Sequence, residues 1–132
     1  LVPYINFADT ITCHGNKYVV GEGEGAGHYQ SGWAAAQQYA RNPDNQHVKT
    51  IDYRSCHSAT GGKNGRDSNA QMMADATGAQ VTGYQGIYSA NPATCSASMV
   101  FSPQGATDAA ASARRNVQGY LDILPMLPGR TI

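Results

Sequence analysis

The 132 residues predict one α/β domain, a layered sandwich on a mainly parallel central sheet flanked by helices. Three observations carry that expectation. Strand-like runs stand at residues 4–13, 48–55 and 79–84, and helix-period segments separate them. Each of the first two helices opens on a serine, Ser31 or Ser68, and ends at a breaker, Pro43 or Gly78. The length suffices for one buried core and not for two, so residues 1–132 are read as a single domain.

In chain order, a first strand over residues 4–13 is followed by a short one over 17–20. The run Gly21-Glu22-Gly23-Glu24-Gly25-Ala26-Gly27 is then a loop. Ser31 caps a helix that carries Trp33, Ala36 and Ala40 on one face. After the strand over 48–55, residues 59–65 are too rich in glycine for regular structure. Ser68-Asn69-Ala70-Gln71 reads as a capping box for a helix that runs to Thr77. A strand over 79–84, an irregular stretch over 87–92 and a short edge strand over 97–101 follow. The last helix spans 107–123, with Ala110, Ala113, Val117, Tyr120 and Leu124 at helical spacing. Pro125 and Pro128 end it and leave residues 125–132 as a tail.

Nine basic residues balance nine acidic ones, which argues against nucleic acid or an anionic membrane surface as partner. No apolar run approaches a membrane span, and no secretory leader pattern opens the chain. The start at Leu1 is read as a processed product or a domain cut from something larger. Three cysteines, Cys13, Cys56 and Cys95, exclude a full disulfide framework, and reduced thiols are expected.

Two dipeptides carry the chemistry. His14-Gly15 and Ser55-Cys56 each fall where a strand runs out, and parallel strands deliver their C-terminal ends to one edge. A thiol titrating near ~8.5 is mostly protonated at neutral pH and needs a neighbouring base to become a nucleophile. His14 would supply that base and Cys56 the thiol. The N–H groups of Gly15 and Cys56 would face the oxyanion of a tetrahedral intermediate. Asp52 and Arg54 share strand parity with Cys56, so they line a substrate pocket or form an ion pair at the sheet edge. The repeated pairs Cys13-His14 and Cys56-His57 offer zinc-type ligands, but adjacent strand residues point to opposite faces and the spacing is wrong for a structural site. The glycine run from Gly21 matches a dinucleotide fingerprint in form only, because its glutamates would repel a pyrophosphate. No metal or cofactor is expected. The loops over 21–27 and 59–65 are read as framing the cleft.

Strand-His14-Gly15, an intervening helix, then strand-Ser55-Cys56 resembles the caspase-like cysteine peptidases, which include caspases, clostripain, gingipains, separase and toxin self-processing domains. Histidine precedes cysteine by 42 positions, and residues 68–84 resemble the helix and strand that follow the cysteine in bacterial members. The likeness covers about residues 4–88. It implies a caspase-like fold, His14 as base or acid, Cys56 as nucleophile and Gly15 lending an oxyanion N–H. It implies further an effector domain of a secreted bacterial toxin, acting in the cytoplasm of a target cell. The partners would be a protein or peptide substrate and an immunity or activating protein. Two alternatives stay open: an inactive caspase-like module that binds a partner protein, and another Cys-His enzyme such as a transferase or deamidase.

Overall fold

A computed structural model describes residues 4–7, 9–21 and 29–127 of the chain. Its elements are β1 (Tyr4–Phe7), β2 (Thr10–Thr12), β3 (His14–Asn16), β4 (Val19–Gly21), β5 (Tyr29–Ser31), α1 (Gly32–Arg41), β6 (Thr50–Arg54), α2 (Asn69–Thr77), β7 (Gln80–Tyr84), β8 (Ser98–Phe101) and α3 (Ala106–Ile123). One sheet has the order β1-β2-β6-β7-β8, and a second, smaller one has the order β3-β4-β5. β2, β6 and β7 run parallel, while β1 and β8 join the edges antiparallel. The sheet is therefore mixed rather than mainly parallel. The family likeness to a caspase-type sandwich is a finer statement than this architecture carries.

Residues 4–13 do not form one strand. The chain folds back at Asp9, so that Ile5 pairs with Ile11, and Asp9 accepts a backbone bond from Asp52 at 2.9 Å. An aspartate favours such a reversal over continued extension. Of the second expected strand, over 17–20, only the end is strand: Lys17 and Tyr18 form the turn of the hairpin β3–β4, in which Gly15 faces Val20. Tyr18 turns that hairpin at φ 69, a conformation a bulky residue adopts only when its surroundings hold it. Its ring fills the space that β-carbons on Gly61 and Gly119 would occupy.

Alternation along the large sheet separates two faces. Ile11, Ile51, Tyr53, Val81 and Phe101 are buried. Thr10, Asp52, Arg54, Thr82 and Tyr84 are half-buried, and Val100 is 64 % exposed. The helices pack against one another and cover the first face; among the described residues none covers the second. The expected layered α/β arrangement, a sheet flanked by helices, is kept, with α1 and α2 packed together on one side. Right-handed crossovers explain this, because β2-to-β6 and β6-to-β7 step in one direction and so place α1 and α2 together.

Both helix starts follow the sequence. Ser31 Oγ accepts from Ala34 N–H at 3.1 Å, and Ser68 Oγ from Gln71 N–H at 3.2 Å. Gly78 ends α2 at φ 79, in the left-handed region. Gln71 does not complete the capping box; its amide donates instead to Asp75 and to the Ser102 carbonyl. In α1 the buried face is Gly32, Ala35, Ala36 and Tyr39. In α3 it is Ser112, Ala113 and Asn116, while Ala110 lies outside. That correction has a polar cause. Asn116 donates to the Asp67 carbonyl at 2.8 Å and to Asn69 Oδ1 at 3.2 Å, and it accepts from Trp33 N–H at 3.0 Å. Asn69 in turn donates to the carbonyls of Asn16 and Val19. This buried chain of amides joins α1, α2 and α3 to the β3–β4 hairpin.

Candidate active site

Past the paired residues Thr12 and Arg54, two chain segments leave the sheet side by side, and Cys13 N–H donates to the Arg54 carbonyl at 3.4 Å. One continues through Cys13 into β3, so His14 opens a hairpin instead of ending a parallel strand. The other enters a tight turn in which Ser58 N–H bonds back to the Ser55 carbonyl and His57 takes φ 57. That turn is braced from below. His57 N–H donates to the Gly86 carbonyl at 2.7 Å, and Ser58 Oγ links the Tyr53 carbonyl to Tyr84 N–H.

Between the two segments lies a cleft of about 400 Å³ lined by Thr12, Cys13, His14, Gly15, Arg54, Cys56 and Tyr88. It gathers His14, Gly15, Arg54 and Cys56 of the residues singled out from sequence. Asp52 stands behind them, holding Arg54 Nε at 2.9 Å, so the ion pair and the pocket-lining roles divide between the two. Gly15 sits directly against Ser55 and the Cys56 carbonyl. His14 also reaches a neighbouring hollow of about 200 Å³ with Tyr29 and Leu127.

Sequence reasoning missed Tyr88. Its backbone N–H donates to Cys56 Sγ at 3.4 Å, and its ring stacks edge-on against Tyr84, with centroids 4.8 Å apart. Tyr84 donates its hydroxyl to Asp52 at 2.7 Å, which joins the cleft wall to the Asp52–Arg54 pair. The irregular stretch after β7 offered no pattern that would have exposed this. Cys13 also belongs to the cleft. Burial pushes its thiol up to about 11, the Ser55 hydroxyl lowers it in part, and the nearby charge of Cys56 raises it further.

The expected loop framing divides. Beyond Gly21, the glycine run over 21–27 lies outside the described residues. In the segment over 59–65, Ala59 and Gly61 are buried and Gly65 lies beneath the Phe101 ring, while Gly62, Lys63 and Asn64 are exposed, and none of the seven lines the cleft. All three cysteines are free thiols. Among the described residues no group of three or more His, Cys, Asp or Glu is arranged to hold a metal ion, and no helix is long and apolar enough to cross a membrane.

The family model of the secreted effector protein SteB matches residues 8–126. Searches of curated proteins and of solved structures gave no match.

Proposed function

The chain belongs to the SteB family of secreted effector proteins, and on that premise we propose that its cleft is the active site of a cysteine peptidase. The observation that carries the reading is the shared cleft: His14, Gly15, Arg54 and Cys56 come from separate segments and line one cavity. In the proposed reaction His14 takes the proton of Cys56, and the sulfur attacks a peptide carbonyl. The carbon–nitrogen bond breaks as His14 returns the proton to the leaving amine; water then attacks the thioester, the carbon–sulfur bond breaks, and the acid product leaves as Cys56 regains its proton. The N–H groups of Gly15 and Cys56 are the candidates for the oxyanion, and Arg54 for substrate contact.

The test is cleavage of a peptide library or a host-cell lysate by the purified chain, with new N-termini mapped by mass spectrometry. Cys56→Ala and His14→Ala should each lose nearly all cleavage with the fold intact, because residues acting as one unit fail together. Cys95→Ser should cleave as the native chain does. Full activity in Cys56→Ala would sink the reading.

The sheet face that no described helix covers favours a second reading, a protein-binding module. Val100 on it is 64 % exposed, and Asp52, Arg54 and Tyr84 form a continuous polar strip beside it. Partner capture unaffected by Cys56→Ala but lost when a charge is introduced by Val100→Asp would support that module.

A further inference from the structure

We propose that Cys13 and Cys56 form a dithiol that closes to a disulfide across the cleft. Both side chains line the same cavity. They stand one and two positions beyond the paired residues Thr12 and Arg54, where Cys13 is still hydrogen-bonded to the Arg54 backbone. The electrostatic influence of Cys56 on Cys13 places the sulfurs in each other's field. Cys95 follows a different loop, its N–H bonded to the Asn91 carbonyl, and takes no part in the lining.

The oxidant is a peroxide. The Cys56 thiolate attacks one peroxide oxygen, the O–O bond breaks, and the sulfur becomes a sulfenic acid as hydroxide leaves. The Cys13 sulfur then attacks the Cys56 sulfur, the S–O bond breaks, and the departing hydroxide takes the Cys13 proton to form water. Two thiols lose two electrons and two protons, and one hydrogen peroxide becomes two waters. Cys56 lines the cleft together with His14, whereas burial holds the Cys13 proton, so Cys56 is the thiol that meets the peroxide first and Cys13 attacks second. A small thiol such as glutathione reverses the bond by exchange. The oxidised cleft holds no free thiol. The inference stands without the peptidase reading, since it concerns the sulfurs alone.

Trypsin separates the three cysteines, because Lys17, Arg54, Lys63, Arg66 and Arg114 bound their peptides. The full chain is titrated with hydrogen peroxide, remaining thiols are trapped with iodoacetamide, and a non-reducing digest is read by mass spectrometry. The expected result is loss of two of the three thiols, a linked pair of peptides containing Cys13 and Cys56, and recovery with dithiothreitol. Cys95→Ser should give the same link. A bond that includes Cys95, or Cys56 driven to sulfinic acid while Cys13 remains alkylated, overturns the proposal. Peptide cleavage by the reduced chain is read separately, so failure of this link and failure of the peptidase reading are distinct.

Discussion

Gly15 lies flat against Ser55: a β-carbon on Gly15 would overlap the Ser55 hydroxyl and come within 3.1 Å of the Cys56 carbonyl. Ser55 is 1 % exposed, so it has nowhere to retreat. The absence of a side chain at Gly15 thus sets how closely the hairpin that carries His14 approaches the turn that carries Cys56.

Gly15→Ala should accordingly destabilise the fold by about 1–3 kcal/mol, the usual result of overpacking a fixed contact. Chemical denaturation gives that number. Amide exchange should show protection lost in β3 and in the turn over 55–58 together. A variant with unchanged stability would mean that the hairpin simply lifts away.

Asn69 offers a second lever on the same hairpin. Its amide donates to the carbonyls of Asn16 and Val19 at 3.1 and 3.2 Å, and its oxygen accepts from Asn116 at 3.2 Å. It is 0 % exposed, so Asn69→Ala leaves several buried polar groups without partners. The expected loss is about 2–4 kcal/mol, more than one hydrogen bond but less than a sum of three. Denaturant unfolding of the single variants and of Asn69→Ala/Asn116→Ala should reveal strong non-additivity. Additive losses would refute a shared network.

Stability should fall in alkali. Burial holds the Cys13 proton in the folded chain, raising its titration from 9.0 to about 11, with Ser55 opposing and Cys56 adding to the rise. Tyr39 rises from 10.0 to about 12, first by burial and then by the charge of Asp9. A folded state that binds a proton more tightly than the unfolded state is stabilised below the unfolded pKa. That advantage disappears as pH climbs to the folded value. Stability carried by Cys13 is thus complete below pH 9.0 and lost by about 11, and Tyr39 extends the decline toward about 12. Cys13→Ser should flatten the first part of that decline by at most about 2–3 kcal/mol. Urea midpoints measured from pH 8 to 11 (an order-of-magnitude window around these titrations) check it; a native-like slope in Cys13→Ser would assign the loss elsewhere.

What was legible in the sequence were the locally encoded parts. Ser31, Ser68 and Gly78 mark helix ends through their own backbone chemistry, and each helix end lies where they put it. The position of Cys56 after β6 was readable because a polar, glycine-bearing segment follows an apolar strand. Reversal at Asp9 was hidden, since three-residue strands show no periodicity that distinguishes them from one long run. The inner face of α3 was hidden for another reason. Ser112 and Asn116 are polar letters, and only their distant partners Gln104, Asp67 and Asn69 make burial favourable. Arg115 lies on the exposed side of α3, yet it holds the buried Asp67 carboxylate at 2.9 Å. Tyr88 enters the cleft from a segment without regular structure, where sequence has no grip.

The last prediction separates holding Arg54 from holding the fold. Asp52 bonds Arg54 Nε at 2.9 Å and receives the Tyr84 hydroxyl at 2.7 Å, on the sheet face that no described helix covers. The Arg54 and Asp52 side chains are 43 % and 33 % exposed, so water screens the pair and its worth to stability is below about 1 kcal/mol. Asp52→Asn should therefore unfold within about that margin of the native chain. Arg54, however, is in the cleft wall, and without its carboxylate partner it samples other rotamers. On the peptidase reading the cost then falls on substrate binding: KM should rise several-fold while kcat changes little, since neither His14 nor Cys56 is touched. Tyr84→Phe, which removes one of the two bonds to Asp52, should move KM in the same direction by less. A fall in kcat with KM unchanged would instead place Asp52 among the groups that act on the reacting atoms.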